Sequence, residues 1–201
     1  MINSLRACLL ALCLCLSARA TTVIAPSFDE LVQASELVFR GRVTALKSDW
    51  TGEGENRRIA TWVTFAVERT LRGTTEAEIT LEFLGGEVEG RRLRLAGFPA
   101  FEVGERGVFF VENRSGRVCP LMRLRHGRYR ILEEKTDEAV KERIVRDDYS
   151  ALHAVEGVVA PLGEPGGPQV AALATALTLE NFEAAILTRS AQLPSAASAQ
   201  R

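Results

Sequence analysis

The chain has 201 residues, 46% of them hydrophobic and 25% charged, with 25 Lys and Arg against 26 Asp and Glu. A net charge of −1 gives no support to a role built on global attraction to nucleic acid or to an anionic membrane surface. The length is enough for one domain with an appendage, and enough to bury a core without disulfide staples.

Arg6 precedes an apolar stretch from Ala7 to Leu16, and Ala18-Arg19-Ala20 places small residues at the two positions a signal peptidase reads. Residues 1–20 therefore read as a removable signal peptide, and the mature chain, starting at Thr21, is expected in the periplasm or outside the cell. The apolar stretch is well short of the roughly 20 residues that span a bilayer, and no later segment comes close, so no integral membrane segment is expected. Leu12 and Leu14, which are not small, precede Cys13 and Cys15, which argues against a lipid anchor. Cys8, Cys13 and Cys15 leave with the leader, so Cys119 stands alone and no intramolecular disulfide is expected. The leader also removes Arg6 and Arg19 and no acid, leaving 23 basic against 26 acidic residues, or −3.

Ser27 is placed to cap a short helix carrying Phe28, Leu31 and Val32 on one stripe, with Asp29 and Glu30 in the first turn where the helix dipole favours acids. Period-two alternation then takes over. Leu37, Phe39, Val43 and Ala45 share one face of a first strand, and Val38, Arg40, Arg42 and Thr44 the other. The segment Ser48 to Arg58 reads as a loop containing Trp50. Val63, Phe65 and Val67 mark a second strand. Ile79, Leu81 and Phe83 mark a third, ended by Gly85-Gly86, and Leu93 with Leu95 mark a short fourth. Val108 to Val111 is a continuous apolar run, as expected of a strand covered on both sides. A strand over Val118 to Leu124, a two-residue turn at His126-Gly127 and a strand over Arg128 to Leu132 follow. Glu133 to Asp148 suits a helix at Glu138 to Arg143 or a further hairpin after Thr136-Asp137; the strand reading is favoured. Thr178 is placed to cap a helix from Leu179 to Thr188 with Phe182 and Ile186 inward.

These elements predict a mostly β protein, a small closed Greek-key barrel of the OB type flanked by a short N-terminal and a C-terminal helix, because closure removes exposed edges. The expected organisation is a β domain over residues 21–150, a Gly/Pro linker and helix over 151–189, and a disordered tail over 190–201.

Three segments carry a family resemblance. Ser35 to Val43 (Ser-Glu-Leu-Val-Phe-Arg-Gly-Arg-Val), Val63 to Gly73 and Phe101 to Phe110, in that order and spacing, resemble the netrin-type domains, which include the tissue inhibitors of metalloproteinases. The resemblance covers about Thr21 to Leu132 and is closer to cysteine-poor exported bacterial proteins of unassigned function than to the animal inhibitors. It implies a five-stranded barrel with a helix beside it and, for the inhibitors, a zinc metalloprotease as partner. There the mature N-terminus chelates the protease's zinc through its α-amino group and first carbonyl, and the second side chain enters the specificity pocket. Those positions fall on Thr21 and Thr22 without a gap. Free α-amino groups titrate near pH 7.7 to 8.0, so a neutral, metal-binding fraction exists at neutral pH. The inhibitors hold this end with cysteines at the first and third positions, where this chain has Thr21 and Val23.

Other chemistry is sparse in the sequence. His126 and His153 lack neighbours at zinc-site spacing; the first reads as a turn residue and the second as an exposed loop residue. Asp147-Asp148 reads as a solvated pair, and Cys119, beside Pro120 and Leu121, as an inert buried thiol. No Gly-x-Ser-x-Gly pattern is present, and Ser115 sits in the polar turn Asn113 to Gly116, whose first three residues also fit a glycosylation acceptor. The turn at His126-Gly127 would pair Arg125 with Arg128 and Arg123 with Arg130, four guanidiniums on one face. That face is either solvated and neutralised by Glu133, Glu134 or Glu112, or a polyanion site. Trp50 either anchors a partner or closes the barrel end. The expected function is a secreted, cofactor-free, non-enzymatic binding module with a protein partner, in its most concrete form a metalloprotease inhibitor or regulator. The alternatives are a polyanion- or glycan-binding barrel using Arg123, Arg125, Arg128 and Arg130, and an exported hydrolase for which no residues stand out.

Overall fold

The computed structural model describes residues 24–116, 118–136, 139–155, 161–163 and 173–192. The expected signal peptide, Thr21 and Thr22, much of the linker and the tail from residue 193 lie outside the described residues. The rest is mostly β, with eight strands in antiparallel sheets and a helix near each end.

Helix α1, Phe28–Ala34, begins as its sequence dictates. The Ser27 hydroxyl accepts from the Glu30 N–H at 3.2 Å, and the Glu30 carboxylate accepts from the Ser27 N–H at 2.7 Å, a reciprocal capping box. Phe28, Leu31 and Val32 are buried. Ser35 closes the other end by donating its hydroxyl to the Leu31 carbonyl at 2.6 Å.

Strands β1 (Leu37–Thr51) and β2 (Arg58–Arg72) form one long hairpin. Its turn passes through Gly52 and Gly54 at φ 78° and 55°. Three register shifts along β1, between Val38 and Ala45, bend the ribbon so that it curves over its own core. Strand β3 (Glu78–Leu84) pairs with β2, and β4 (Gly86–Val88) with β5 (Arg91–Leu93) makes a separate two-stranded sheet. Strand β6 (Arg106–Val111) pairs with the start of β1, β7 (Arg128–Lys135) with β6, and β8 (Val140–Arg146) with β7. The main sheet therefore reads β3-β2-β1-β6-β7-β8, a ladder with β3 and β8 as its edges.

Around β6 both sides of this sheet are covered. Leu37, Phe39, Val63, Phe65, Leu81 and Phe109 belong to an inner layer in which Phe39, Phe65, Phe83, Phe101 and Phe109 stack with ring centroids 4.7 to 6.3 Å apart. Phe110, Val108, Tyr129, Ile131 and Ile144 face the other way, onto Phe28 of α1 and Phe182 and Ile186 of helix α2, Leu179–Gln192. β6 thus feeds both layers with successive residues, which is why its sequence is an unbroken apolar run. Gly41 lies opposite Gly107 in the β1–β6 register, and a Cβ on Gly41 would come 2.8 Å from the Ala66 carbonyl and 3.0 Å from the Phe39 ring. Only hydrogen at Cα leaves room for Phe39 to fold back over its own strand.

Two local expectations change, and one open alternative is decided. Val118 to Leu124 is not a strand: it makes a single bridge, Val111 to Leu121, because Pro120 has no N–H for a ladder and Arg123 and Leu124 turn at φ 47° and 60°. For Glu133 to Asp148 the favoured strand reading holds over the helical alternative: β7 and β8 form a hairpin. α2 runs to Gln192 instead of stopping at Thr188, so Ser190 to Gln192 are not part of a tail. Arg189 holds this last turn by bidentate contact with Asp29 of α1, both distances 2.5 Å. Thr178 does cap α2, accepting from the Asn181 N–H at 3.3 Å.

The α2 contact is also ionic. Glu183 is buried and accepts from Arg40 at 2.8 Å and Arg69 at 2.7 Å, while Arg40 and Arg106 both reach Glu68. The Arg106 hydrogen bonds lead the effects that hold Glu68 below the usual carboxylate range. Among the described residues no helix is long and apolar enough to cross a membrane.

Candidate functional site

The double glycine that ends β3 helps to build an apolar cleft. Gly85 and Gly86 adopt φ 110° and 132°, conformations that side chains resist, and they turn the chain back against the β1–β2 hairpin. A Cβ on Gly86 would lie 2.3 Å from Thr61 Oγ1 and 2.6 Å from Ser48 Oγ. Thr61 donates its hydroxyl to the Gly85 carbonyl at 2.7 Å. Its one proton being spent, it accepts from Ser48 at 2.8 Å. Two hydroxyls thus clamp the turn from which β4 and β5 depart.

From β5 the chain continues through Arg94 to Phe101 and returns over the inner layer. Between this arch and the hairpin lies a groove of about 590 Å³. Leu46, Val63, Phe83, Leu95 and Phe98 supply its apolar lining, and Leu46 is 38% exposed to solvent. Arg92 on the rim is matched by Glu87, with its Nε 2.7 Å from the carboxylate. Arg94, also lining the groove, is exposed and has no ion-pair or hydrogen-bond partner among the described residues. An apolar cleft of a few hundred Å³ with a few convergent polar groups is the form ligand sites usually take.

Trp50 stands close by, but in β1 opposite Ile59 and not in a loop. It is half-buried, with the Arg57 guanidinium 4.3 Å above its ring and Arg91 at 6.0 Å. Its indole N–H is buried without a partner among the described residues. Cation–π stacking on the ring replaces the exposed anchor.

The four arginines do not form one face. Leu124–Gly127 is a turn of 3₁₀ helix, and β7 pairs Arg128 with Phe109 and Arg130 with Gly107, so the Arg125–Arg128 and Arg123–Arg130 pairs do not occur. Arg123 alone is exposed. Arg128 is 2% exposed, lies 4.3 Å over the Phe101 ring, bonds the Ala100 carbonyl and pairs with Glu105 at 2.6 Å and Asp147 at 3.3 Å. Arg130 reaches Glu105, the Asp147 carbonyl at 3.2 Å and the Tyr149 ring at 4.4 Å. Arg125 holds Asp147 at 2.6 Å and the Gly163 carbonyl at 3.1 Å. Asp147, expected to be solvated, is 2% exposed at the centre of this cluster. Three guanidiniums out of water cost several kcal/mol each unless paired and hydrogen-bonded, and two carboxylates with three carbonyls supply that here. Burial pushes Arg128 below its ordinary value against the opposing Asp147 charge. Burial also works against ionised Glu105, but Arg128 and the bonds around it win and hold its carboxyl below the usual range. This cluster is internal structure that braces one wall of the groove through Arg125 and Ala100.

The remaining candidates are inert or external. Burial pushes the Cys119 thiol up to about 12, so little thiolate exists at neutral pH. His153 is exposed, its Nδ1 3.1 Å from the Thr175 carbonyl. Among the described residues no three His, Cys, Asp or Glu side chains gather as a metal site. Thr21 and Thr22 lie outside the described residues. Asp147, Glu105, Ser48, Thr61 and Arg94 were missed as a set, since each belongs to a different segment. Only Gly85-Gly86 signalled a close backbone approach.

Comparison with known protein families, with curated proteins and with solved structures finds no match for this chain. The netrin-type resemblance therefore rests on its three sequence segments alone.

Replacing Asp147 with Asn leaves three buried cations facing one carboxylate. The expected loss is about 3–5 kcal/mol, read from urea unfolding; a loss under about 1 kcal/mol would mean the cluster is solvated. His126 gives a second test. Burial, then Arg146 and Arg125, lowers its pKa from 6.5 to about 4, against a weaker opposite pull from Asp148. The unfolded chain therefore takes up this proton first, so stability falls as pH drops from about 6.5 towards 4 and this contribution levels off below. In His126→Gln that share of the decline should vanish, measured as the difference between the two proteins' urea midpoints across the window.

Proposed function

We propose that this chain is an exported, non-catalytic binding module on a netrin-like, OB-type barrel, and that the groove beneath the β4–β5 arch is its ligand site. The strand order β3-β2-β1-β6-β7 suits that barrel, and the Leu84 N–H bonds the Val118 carbonyl at 2.8 Å on the β3 side where closure would occur. The observation that carries the reading is the groove itself: an apolar lining beside Arg94, whose guanidinium has no partner among the described residues. Its complement is a partner-protein segment that offers a bulky apolar side chain next to a carboxylate.

An anilinonaphthalene sulfonate dye, apolar with one anionic group, is a direct probe. It should bind saturably with enhanced emission, about tenfold more weakly to Arg94→Glu and not at all to Leu95→Trp, which fills the groove. Equal binding to all three proteins would remove the groove as the site.

The most concrete form of this reading is a metalloprotease inhibitor with Thr21 at the zinc and Thr22 in the specificity pocket. It is supported by the anchoring just downstream: Pro26 is buried and Ser27 caps α1, while Ile24 is 80% exposed. Ordering cost is thereby confined to a few residues, at about 1–2 kcal/mol each. Protein starting at Thr21 should slow a zinc metalloprotease, and one extra residue before Thr21 should abolish the effect. Inhibition that survives the extension would overturn this mechanism.

A further inference from the structure

Strand β3 is a sheet edge, and its register states which backbone groups face outward. Gly85 N–H bonds the Ile59 carbonyl and Val67 N–H the Ala77 carbonyl, so odd-numbered residues of β3 bond to β2. The N–H and C=O groups of Glu78, Thr80, Glu82 and Leu84 therefore point away from the sheet. Leu84 N–H is taken by Val118, the only outward group so occupied among the described residues. Among the described residues the edge meets its own chain at one end, through Val118, and is open over Glu78 to Glu82.

The chemistry along that open stretch is one-sided. Glu78, Thr80 and Glu82 share the outer face, with Thr80 Oγ1 2.9 Å from Thr64 Oγ1 across the pair with β2. One Glu82 carboxylate oxygen is buried with no hydrogen-bond partner among the described residues. Such an acceptor is costly to leave unmade. Beside the edge runs an open groove of about 570 Å³ that includes Thr75, Glu76, Ile79, Leu81 and Arg114. Arg114, the cation on its wall, is engaged by Glu36 at 3.1 Å and by the Thr74 carbonyl at 2.9 Å.

A second copy of this chain fits poorly. Antiparallel self-pairing centred on Thr80 would set each Glu78 against the other copy's Glu82, and like charges directly opposite destabilise a ladder. A strand with Lys or Arg at alternate positions meets both carboxylates, while its intervening apolar residues continue the Ile79 and Leu81 layer. We propose that the open edge of β3 takes up an extended, basic segment of a partner protein as an added strand. This surface shares no lining residue with the groove under the β4–β5 arch, so either site can fail without the other.

The probe is a fluorescein-labelled peptide, acetyl-Thr-Lys-Val-Lys-Val-Lys-Thr-amide, titrated into the full chain and followed by anisotropy and amide hydrogen exchange. Saturable binding is expected, weakened about tenfold or more in the double variant Glu78→Lys with Glu82→Lys, with slowed exchange at the Thr80 and Glu82 amides. Thr80→Pro removes an outward N–H and the exposed hydroxyl contact to Thr64 but no backbone bond to β2, so it should stay folded and bind weakly as well; Glu82→Gln is the milder variant should the charge reversals perturb folding. The proposal is overturned by absence of binding, by binding that survives both the charge reversals and the proline, or by protection of this edge that grows with protein concentration alone, which would mean self-pairing.

Discussion

Arg125, Arg128 and Arg130 can leave water only because Asp147 and Glu105 leave it with them. Glu105 stands just before β6 and Asp147 just after β8, so satisfying these guanidiniums draws the two ends of the β6-β7-β8 layer together across β7. The same pairing fixes Ala100 and Phe101 over the inner layer, since Arg128 bonds one and stacks on the other. That segment is a wall of the groove. A largely buried charge cluster therefore shapes one wall of the groove beneath the β4–β5 arch.

The helical side follows a parallel logic with different weights. Phe182, Ile186 and Leu179 bury the apolar stripe of α2, which is the larger energetic contribution. Glu183 adds little net stability once its desolvation is counted, but its two arginine partners on neighbouring strands admit one register of the helix on the sheet. α1 is tied to the same helix through Asp29 and Arg189. Both layers of the core then depend on β6, whose residues alternate between them.

The two surfaces proposed to meet partners differ in kind. The groove is concave and apolar, clamped at its root by Ser48, Thr61 and two strained glycines, which suits a preformed site. The β3 edge offers main-chain groups and carboxylates in a row, a surface that acquires shape only when a strand is added. On these two proposals the chain can hold one partner at two points or two partners at once.

Much of the fold was legible in residue order. The Ser27 box, the α2 cap at Thr178, the alternation in β1, β2 and β3 and the unbroken run in β6 each follow from local chemistry, because caps and pleats involve residues a few positions apart. The failures share one cause. Alternation places Arg128 and Arg130 opposite Tyr129 and Ile131, yet period two says only that these pairs face different sides, not which side meets water. Here neither does, since helices cover one side and the Ala100 to Glu105 segment the other. Trp50, Asp147 and the groove were decided in the same way, by segments far apart in the chain that came to lie against them. Local order determined what each stretch is; the tertiary packing alone decided what covers it, because burial is a property of neighbours that the chain brings together only on folding.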